Sequence, residues 1–193
     1  MNNEFMHDEI SIAEHMPLLE RMAARAGIIL EIGCGHGNGS TRAFTCGLAA
    51  GDGNRERLLI TVDEAEEKPE VRPEFDWWRK ITGDSREGYT FRMVQEILED
   101  RVPEIIFIDT EHTKEQLEKE LEVWSAVADS SVTTWIFHDT WQFGQDEAGY
   151  NPMTDAIKEF CAEHPEWKFV DLTRKSFGLG LMIGSGRQIA EVL

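Results

Sequence analysis

The feature that most constrains the fold of this chain is the stretch ILEIGCGHGNGSTRAF, which runs from Ile29 to Phe44. Its apolar start predicts a buried strand from Ile28 to Ile32, and Ser-Thr opens a predicted helix from Ser40 to Ala50. Between them, a glycine stands at every second position. A strand, a glycine loop and a helix in this order are typical of an α/β fold whose backbone closely approaches a ligand.

Further apolar runs alternate with helical patterns along the rest of the chain. The predicted second, third and fourth strands end at Asp63, Asp84 and Asp109, and the fifth ends at His138-Asp139. Two last strands, WKFVDLT and GLGLMIG, have no helix between them and predict a hairpin. We therefore expect an α/β fold, with a Rossmann-like, doubly wound, seven-stranded and mostly parallel sheet that carries a C-terminal antiparallel hairpin.

Charge and composition exclude several classes of function. The 193 residues carry a net charge of -18, which disfavours nucleic acids and anionic membranes as partners. The N-terminus, MNNEFMHDEI, has neither the basic nor the apolar region of a signal peptide, and no apolar run approaches membrane-spanning length. Three widely spaced cysteines without a CxxC pair fit a reducing compartment, so we expect a cytoplasmic protein.

Acidic residues close all five of the first predicted strands. They are Glu31, Asp63, Asp84, Asp109 and Asp139. Aspartate often caps loops and helix starts, which is one explanation. Ligands on such sheets bind beyond the carboxyl ends of the strands, so five acids along one edge favour a binding site.

The glycine loop fits a phosphate ligand poorly. Its spacing is G-x-G-x-G, with Asn38 where a dinucleotide fingerprint has its third glycine, and it lacks the lysine of a P-loop. An acid beside the loop, Glu31, suits a ligand with a cationic part. Asp63 could accept hydrogen bonds from both ribose hydroxyls, and Asp84 could accept one from an adenine amino group. These features describe S-adenosylmethionine.

The sequence resembles the class I S-adenosylmethionine-dependent methyltransferases, in particular a subgroup of sugar and natural-product O-methyltransferases and cephalosporin-hydroxylase-like proteins. The similarity is carried, in order, by IAEHMPLLERMA, LEIGCGHGNGSTRAF, ITGDS, FIDTEHTKEQLEKELEVW and IFHDT. It implies one methyltransferase-like domain over residues 1–193, with an N-terminal helical segment at 1–27 and the catalytic core at 28–184. The cofactor contacts it implies are Glu31, Gly33, Cys34, Gly35, Gly37, Ser40, Asp63, Asp84, Ser85 and Asp109. Thr110 stands where the family often has glycine.

A metal site is expected where strands four and five end. Adjacent strands lie about 4.8 Å apart, so Asp109 and Asp139 should lie side by side, where they would share a proton or bind a cation. Metal-dependent relatives hold magnesium there, and the resemblance implies Asp109 and Asp139 as ligands to Mg²⁺ or another divalent cation. His138 or His112 could complete the set for a metal that tolerates imidazole, although His138 could instead be a structural histidine of the buried strand. Thr140 replaces the amide or acid that usually follows the second aspartate.

The expected chemistry is methylation of a hydroxyl on a small molecule or glycan, with Asp109, Asp139 and His112 as the catalytic residues. His112 is either the general base or a residue that caps a helix and orients Asp109. Three alternatives stay open: a metal-independent methyltransferase in which the two aspartates orient substrate, a nicotinamide-dependent oxidoreductase, and a cofactor-binding protein without methyl transfer. Trp141 opens a segment that is either a lid over the acceptor or an anchored loop. A homo-oligomer is expected from related enzymes, although no segment locates its interface.

Overall fold

A computed structural model describes residues 12–35, 37–64, 75–141 and 151–193. The strands within these ranges are β1 (Ile28–Ile32), β2 (Leu58–Asp63), β3 (Trp78–Thr82), β4 (Ile105–Ile108), β5 (Thr134–His138), β6 (Trp167–Thr173) and β7 (Leu179–Gly184). The helices are α1 (Met16–Ala23), α2 (Ser40–Ala50), α3 (Gly88–Leu98), α4 (Lys114–Trp124), α5 (Pro152–Glu163) and α6 (Ile189–Val192), with a 3-10 turn at Ser125–Val127 after α4.

All seven of these strands form one sheet in the order β3-β2-β1-β4-β5-β7-β6. The first five strands pair in parallel, whereas β7 runs antiparallel to both β5 and β6. A helix connects each pair of successive strands from β3 to β6, but only a short turn joins β6 to β7. A turn this short can connect antiparallel strands but not parallel ones. The predicted fold, including its C-terminal hairpin, is confirmed.

Two apolar layers cover the sheet. Helices α3, α4 and α5 pack on one face, around Trp124 and Trp135. Helices α1, α2 and α6 pack on the other face, around Phe44 and Phe107. Strands covered on both faces are apolar at successive positions rather than at alternate ones, which is why β1, β4 and β5 read as continuous runs in the sequence.

Local chemistry explains where the elements differ from expectation. Strand β3 ends at Thr82 rather than at Asp84, because Asp84 accepts a hydrogen bond from the backbone N–H of Arg86 at 2.8 Å and turns the chain. Pro17 lies in the first turn of α1, where proline needs no N–H partner, so it is compatible with the start of this helix. None of the helices in the described ranges has the length and apolar character needed to cross a bilayer.

Candidate active site

A cavity of about 400 Å³ opens at the carboxyl ends of the parallel strands. Its walls come from the glycine loop after β1, the end of β2, and the segments after β3, β4 and β5. The sequence-predicted residues that line it are Gly33, Cys34, Gly35, Gly37, Ser40, Asp63, Ser85, Asp109, His112, His138 and Asp139. The fold therefore brings most of the predicted site residues to one cavity, of a size that suits a small-molecule ligand.

The glycine loop lies directly against the end of β4. Gly33 has φ +84°, and a Cβ there would be 1.9 Å from the carbonyl oxygen of Asp109, so no other residue fits. The backbone N–H of Gly35 donates to Asp63 Oδ2 at 2.8 Å. One carboxylate oxygen of Asp63 thus holds the loop in place from the end of β2.

Glu31 lies beneath the loop, and its side chain is fully buried. It accepts hydrogen bonds from Ser40 Oγ at 2.6 Å and from Thr41 Oγ1 at 2.7 Å. Burial raises the pKa of Glu31 to about 8. Glu31 does not reach the cavity wall, and its visible role is to fix the start of α2. A direct contact between Glu31 and the cofactor stays a prediction.

Two adjacent residues predicted to bind the cofactor point in different directions. Asp84 accepts hydrogen bonds from the guanidinium of Arg86, the shortest at 2.7 Å, and this pairing lowers the pKa of Asp84. Asp84 is not part of the cavity lining, whereas Ser85 is. Of these two, the structure presents only Ser85 to a ligand in the cavity.

Two aspartates and two histidines converge between the ends of β4 and β5. His112 Nε2 lies 2.5 Å from Asp139 Oδ2 and 3.7 Å from Asp109 Oδ1. His138 Nδ1 lies 3.0 Å from Asp139 Oδ2 and 3.4 Å from Asp109 Oδ2. Asp139 adopts φ +58°, a left-handed conformation that aspartate tolerates better than most residues. The turn after β5 thus directs its carboxylate toward His112.

Mutual charge dominates the titration of this cluster. Burial alone would raise the pKa of Asp109, but His138 and His112 hold it well below its usual range. Burial would lower the pKa of both histidines, but the two carboxylates raise that of His112 to about 9 and that of His138 to about 10. His15, whose ring packs edge-on against His138 at 5.6 Å, has its pKa lowered by burial and by the neighbouring His138.

The donor set of the cluster fits a divalent cation. Asp109, His138 and Asp139 each offer one ligand atom, and these atoms lie within 4.8 Å of one another. His138 is almost fully buried, and neither ring nitrogen has hydrogen-bond geometry with a partner among the described residues. The His138 nitrogen and the aspartate oxygens thus lie close together without a hydrogen bond between them, an arrangement that suits ligand atoms directed at one metal ion.

Sequence reasoning missed a polar network that also lines the cavity. Thr110, Ser85 and Gln116 line the cavity and hydrogen-bond to Glu120, which is fully buried on α4. A weak signal was present in the sequence: Gln116 and Glu120 are one helical turn apart and directly precede the apolar pair Leu117 and Leu121. Thr110, which replaces the glycine common in the family, serves this network.

Trp141 is anchored at the edge of the site by the turn between β6 and β7. Its backbone N–H donates to the carbonyl of Phe177 at 2.7 Å, and the Arg174 guanidinium lies 3.8 Å from the centroid of its ring. Gly178 makes room for it, since a Cβ there would be 2.6 Å from Trp141 Cβ. The lid that the sequence predicts after Trp141 falls on residues 142–150, outside the described residues.

Comparison with known proteins identifies the family. The sequence profile named rhamnosyl O-methyltransferase/CmcI matches residues 18–183. No curated protein sequence gives a significant match. CalS11, a TDP-rhamnose 3'-O-methyltransferase of calicheamicin biosynthesis, is similar in structure, with a TM-score of 0.64, 14% identity, and coverage of 96% of this chain and 82% of CalS11.

Two further solved structures share the fold. MycE from the mycinamycin pathway, in complex with Mg and SAH, has a TM-score of 0.57 and 16% identity over 87% of this chain and 49% of MycE. Fibrillarin of Aeropyrum pernix, with natively bound S-adenosyl-L-methionine, has a TM-score of 0.54 and 14% identity over 90% of this chain and 75% of its own. The chain belongs to the rhamnosyl O-methyltransferase/CmcI family and is an S-adenosylmethionine-dependent methyltransferase.

Proposed function

We propose that this protein methylates a hydroxyl group of a sugar, on a small molecule or a glycan, with a divalent cation held by Asp109, Asp139 and His138. The observation that carries the proposal is the cluster of two aspartates and two histidines beside the glycine loop in one cavity. The family profile and the sugar named in the description of CalS11 support the acceptor class. The Mg in the MycE complex supports the cation.

The glycine loop and Asp63 are proposed to hold the cofactor. When bound, S-adenosylmethionine supplies a methyl group on a positively charged sulfur. The bare backbone at Gly33 and Gly37 allows the ligand to lie directly on the loop. Because Gly33 packs against Asp109, a ligand held on this loop would lie next to the acidic cluster. The Asp63 carboxylate, which also lines the cavity, favours a cationic ligand over an anionic one.

The cluster is proposed to prepare the acceptor hydroxyl for attack. A cation held by Asp109, Asp139 and His138 would act as a Lewis acid that lowers the pKa of that hydroxyl. His112 contacts Asp139 at 2.5 Å and is placed to take the released proton. When Asp109 and Asp139 are paired only with the two histidines, the pKa of His112 is about 9. The His112 imidazole is then protonated at neutral pH. His112 can act as a base only when other positive charge offsets these carboxylates.

The same contacts favour a second candidate, a methyltransferase without a metal. His112 and His138 already balance the charge of Asp109 and Asp139 within 2.5 to 3.7 Å. In that case the two aspartates orient the acceptor hydroxyl and the histidines keep the cluster neutral. The proposed roles of the individual residues, the division at residue 27, the cytoplasmic location and a homo-oligomer stay predictions.

The first experiment is a calorimetric titration of the purified protein with S-adenosylhomocysteine, beside an NAD control. Saturable binding of S-adenosylhomocysteine alone supports the cofactor assignment, and binding of neither by folded protein contradicts it. Methyl transfer to a panel of sugar acceptors is then measured with EDTA, Mg²⁺ or Mn²⁺. Loss of turnover in EDTA, restored by a divalent ion, supports the metal, whereas unchanged turnover supports the second candidate.

A matched pair of variants localises the effect. Asp139→Asn removes one carboxylate from the cluster and should lower turnover at least about 100-fold while leaving S-adenosylhomocysteine binding within a few-fold of the wild type. Asp100→Asn makes the same chemical change at an exposed position after α3 and should leave both quantities unchanged. Equal turnover in the two variants would refute a catalytic role for Asp139.

A further inference from the structure

His138 is a proposed metal ligand whose orientation is not fixed by a hydrogen bond. Its side chain is 1% exposed, and neither ring nitrogen has a hydrogen-bond partner among the described residues. A histidine that binds a metal usually donates from its other ring nitrogen to an acceptor, and this bond sets the direction of the ring. Since the described residues offer His138 no such acceptor, packing has to hold its imidazole toward Asp109 and Asp139.

A second histidine, His15 at the start of α1, packs on the ring of His138. The two ring centroids lie 5.6 Å apart with an angle of 74° between the ring planes, which is an edge-to-face contact. His15 is 4% exposed, so both rings are enclosed by protein. A neighbouring ring in a closely packed interior limits rotation of the His138 imidazole.

His15 is itself held in place through its backbone and its side chain. Its backbone N–H donates to the carbonyl of Ile12 at 2.9 Å, and its carbonyl accepts from two N–H groups of α1. Its Nε2 lies 3.3 Å from the carbonyl oxygen of Ser176, in the turn between β6 and β7. Because a carbonyl only accepts, this nitrogen carries the hydrogen and donates it. The bond to Ser176 thus fixes the ring that packs on His138.

The same turn also contacts the segment that carries the metal ligands. Ser176 and Phe177 adopt φ +46° and +65°, left-handed conformations that persist only where the surroundings enforce them. Ser176 Oγ donates to Glu14 Oε2 at 2.6 Å, and the Phe177 carbonyl accepts from the Trp141 N–H at 2.7 Å. Trp141 follows Asp139 by two residues. The turn therefore links the start of α1 to the segment that holds two of the proposed ligands.

We propose that His15 is a positioning residue, which holds the His138 imidazole toward the two aspartates so that a divalent cation meets all three ligands in place. The inference rests on the proposed metal site. His15 acts through the ring that packs on His138, and its bond to Ser176 keeps that ring where it is. Its effect should therefore fall on ions that imidazole suits, such as Ni²⁺. Mg²⁺, which is held mainly by carboxylates and water, should be affected much less.

The test is isothermal titration of the protein, without a histidine tag, with Ni²⁺ and separately with Mg²⁺. His15→Gln keeps an N–H for Ser176 but has no ring, so it should weaken Ni²⁺ binding roughly 10-fold or more and Mg²⁺ binding by about 3-fold or less. His15→Phe keeps a ring against His138 without the N–H and should weaken Ni²⁺ binding by about 3-fold or less. His164→Gln removes a histidine that stacks on Phe160 at 4.2 Å, outside the cavity lining, and should leave both affinities unchanged.

Each outcome bears on a different claim. A folded wild type that binds neither ion, or Mg²⁺ alone, overturns the proposed ligand role of His138 and the inference with it. Wild-type binding of Ni²⁺ that His15→Gln leaves unchanged overturns the inference alone, even if the variant melts at a lower temperature, because a purely structural histidine would behave in this way. An equal loss for both ions, or a loss in His15→Phe as large as in His15→Gln, also overturns it. Thermal melting establishes that each variant is folded. If His15→Phe is not, His15→Gln against His164→Gln decides the question, and if His15→Gln is not, His15→Leu, which also lacks a ring, replaces it.

Discussion

The buried carboxyl of Glu31 makes the stability of this protein depend on pH in a way that one substitution should remove. Its pKa is about 8 in the folded protein, against 4.5 for an ordinary glutamate. Between these two values the folded chain retains a proton that the unfolded chain releases. The free energy of unfolding therefore falls as the pH rises through this window, and the fall is complete above the folded pKa.

The size of the effect follows from the two pKa values. Each unit of difference corresponds to about 1.4 kcal/mol. Between pH 5 and pH 8, a carboxyl that shifts from 4.5 to about 8 on folding lowers the free energy of unfolding by about 3 kcal/mol. The raised pKa values of His112 and His138 act in the same direction, because their ion pairs contribute most below pH 6.5 and are lost as the pH rises toward 9 and 10. The wild-type slope alone does not isolate Glu31.

The measurement is therefore a difference between two proteins. Urea denaturation followed by circular dichroism at pH 5, 6, 7 and 8 gives the free energy of unfolding of the wild type and of Glu31→Gln. The amide keeps an oxygen that can accept from Ser40 or Thr41 but cannot ionise. We expect the variant to match the wild type at pH 5 and to exceed it by about 3 kcal/mol at pH 8. If the difference between the two proteins changes by less than about 1 kcal/mol from pH 5 to pH 8, the reasoning that burial holds Glu31 in its neutral form is refuted.

Three further predictions concern the site. His138→Glu replaces the imidazole by a carboxylate and should lower the affinity for Mn²⁺ relative to Mg²⁺, measured by calorimetric titration with each ion; an unchanged ratio contradicts a ligand role for His138. Gly33→Ala places a Cβ 1.9 Å from the Asp109 carbonyl at φ +84° and should cost about 2 kcal/mol or more, whereas Gly186→Ala, with open space around its Cβ, serves as the control for thermal melting. Trp141→Ala loses the contact with Arg174 and should melt at a lower temperature; unchanged acceptor affinity would decide for an anchored loop, and weakened affinity for an acceptor contact.

The sequence was sufficient for the fold because its pattern reports directly on burial. Ile28–Ile32, Ser40–Ala50 and Trp167–Thr173 form elements with the bounds that the pattern predicts. Strands buried on both faces need apolar residues at successive positions. A chain of this size has few other arrangements that bury such apolar runs. The proximity of Asp109 and Asp139 could also be predicted, since β4 and β5 are parallel neighbours and the two acids follow the pair Ile108–Phe137 by one and two residues.

Side-chain direction within the site could not be predicted from the same pattern. Asp84 and Ser85 are adjacent residues, and only the turn made with Arg86 decides which of them faces the cavity. Helix α4 carries four glutamates, at positions 115, 118, 120 and 122. Only Glu120 among them is fully buried, because it faces Thr110 in the loop after β4 and Ser85 in the loop after β3, which is 35 residues away in the sequence. Contacts of this kind depend on tertiary packing that hydrophobic periodicity does not encode.

The acids around the cavity form two groups that act on a ligand differently. Glu31 and Glu120 are fully buried, and their oxygens are taken up by hydroxyl and amide donors, so they shape the loop and the wall without presenting charge to the cavity. Asp63, Asp109 and Asp139 line it, at the places proposed for the ribose and the methyl-bearing sulfur. In the proposed reaction the positive charge on that sulfur is lost when the methyl group leaves. Because the two histidines or the proposed cation already offset the charge of Asp109 and Asp139, of these three acids Asp63 is left to favour the cationic cofactor over its product.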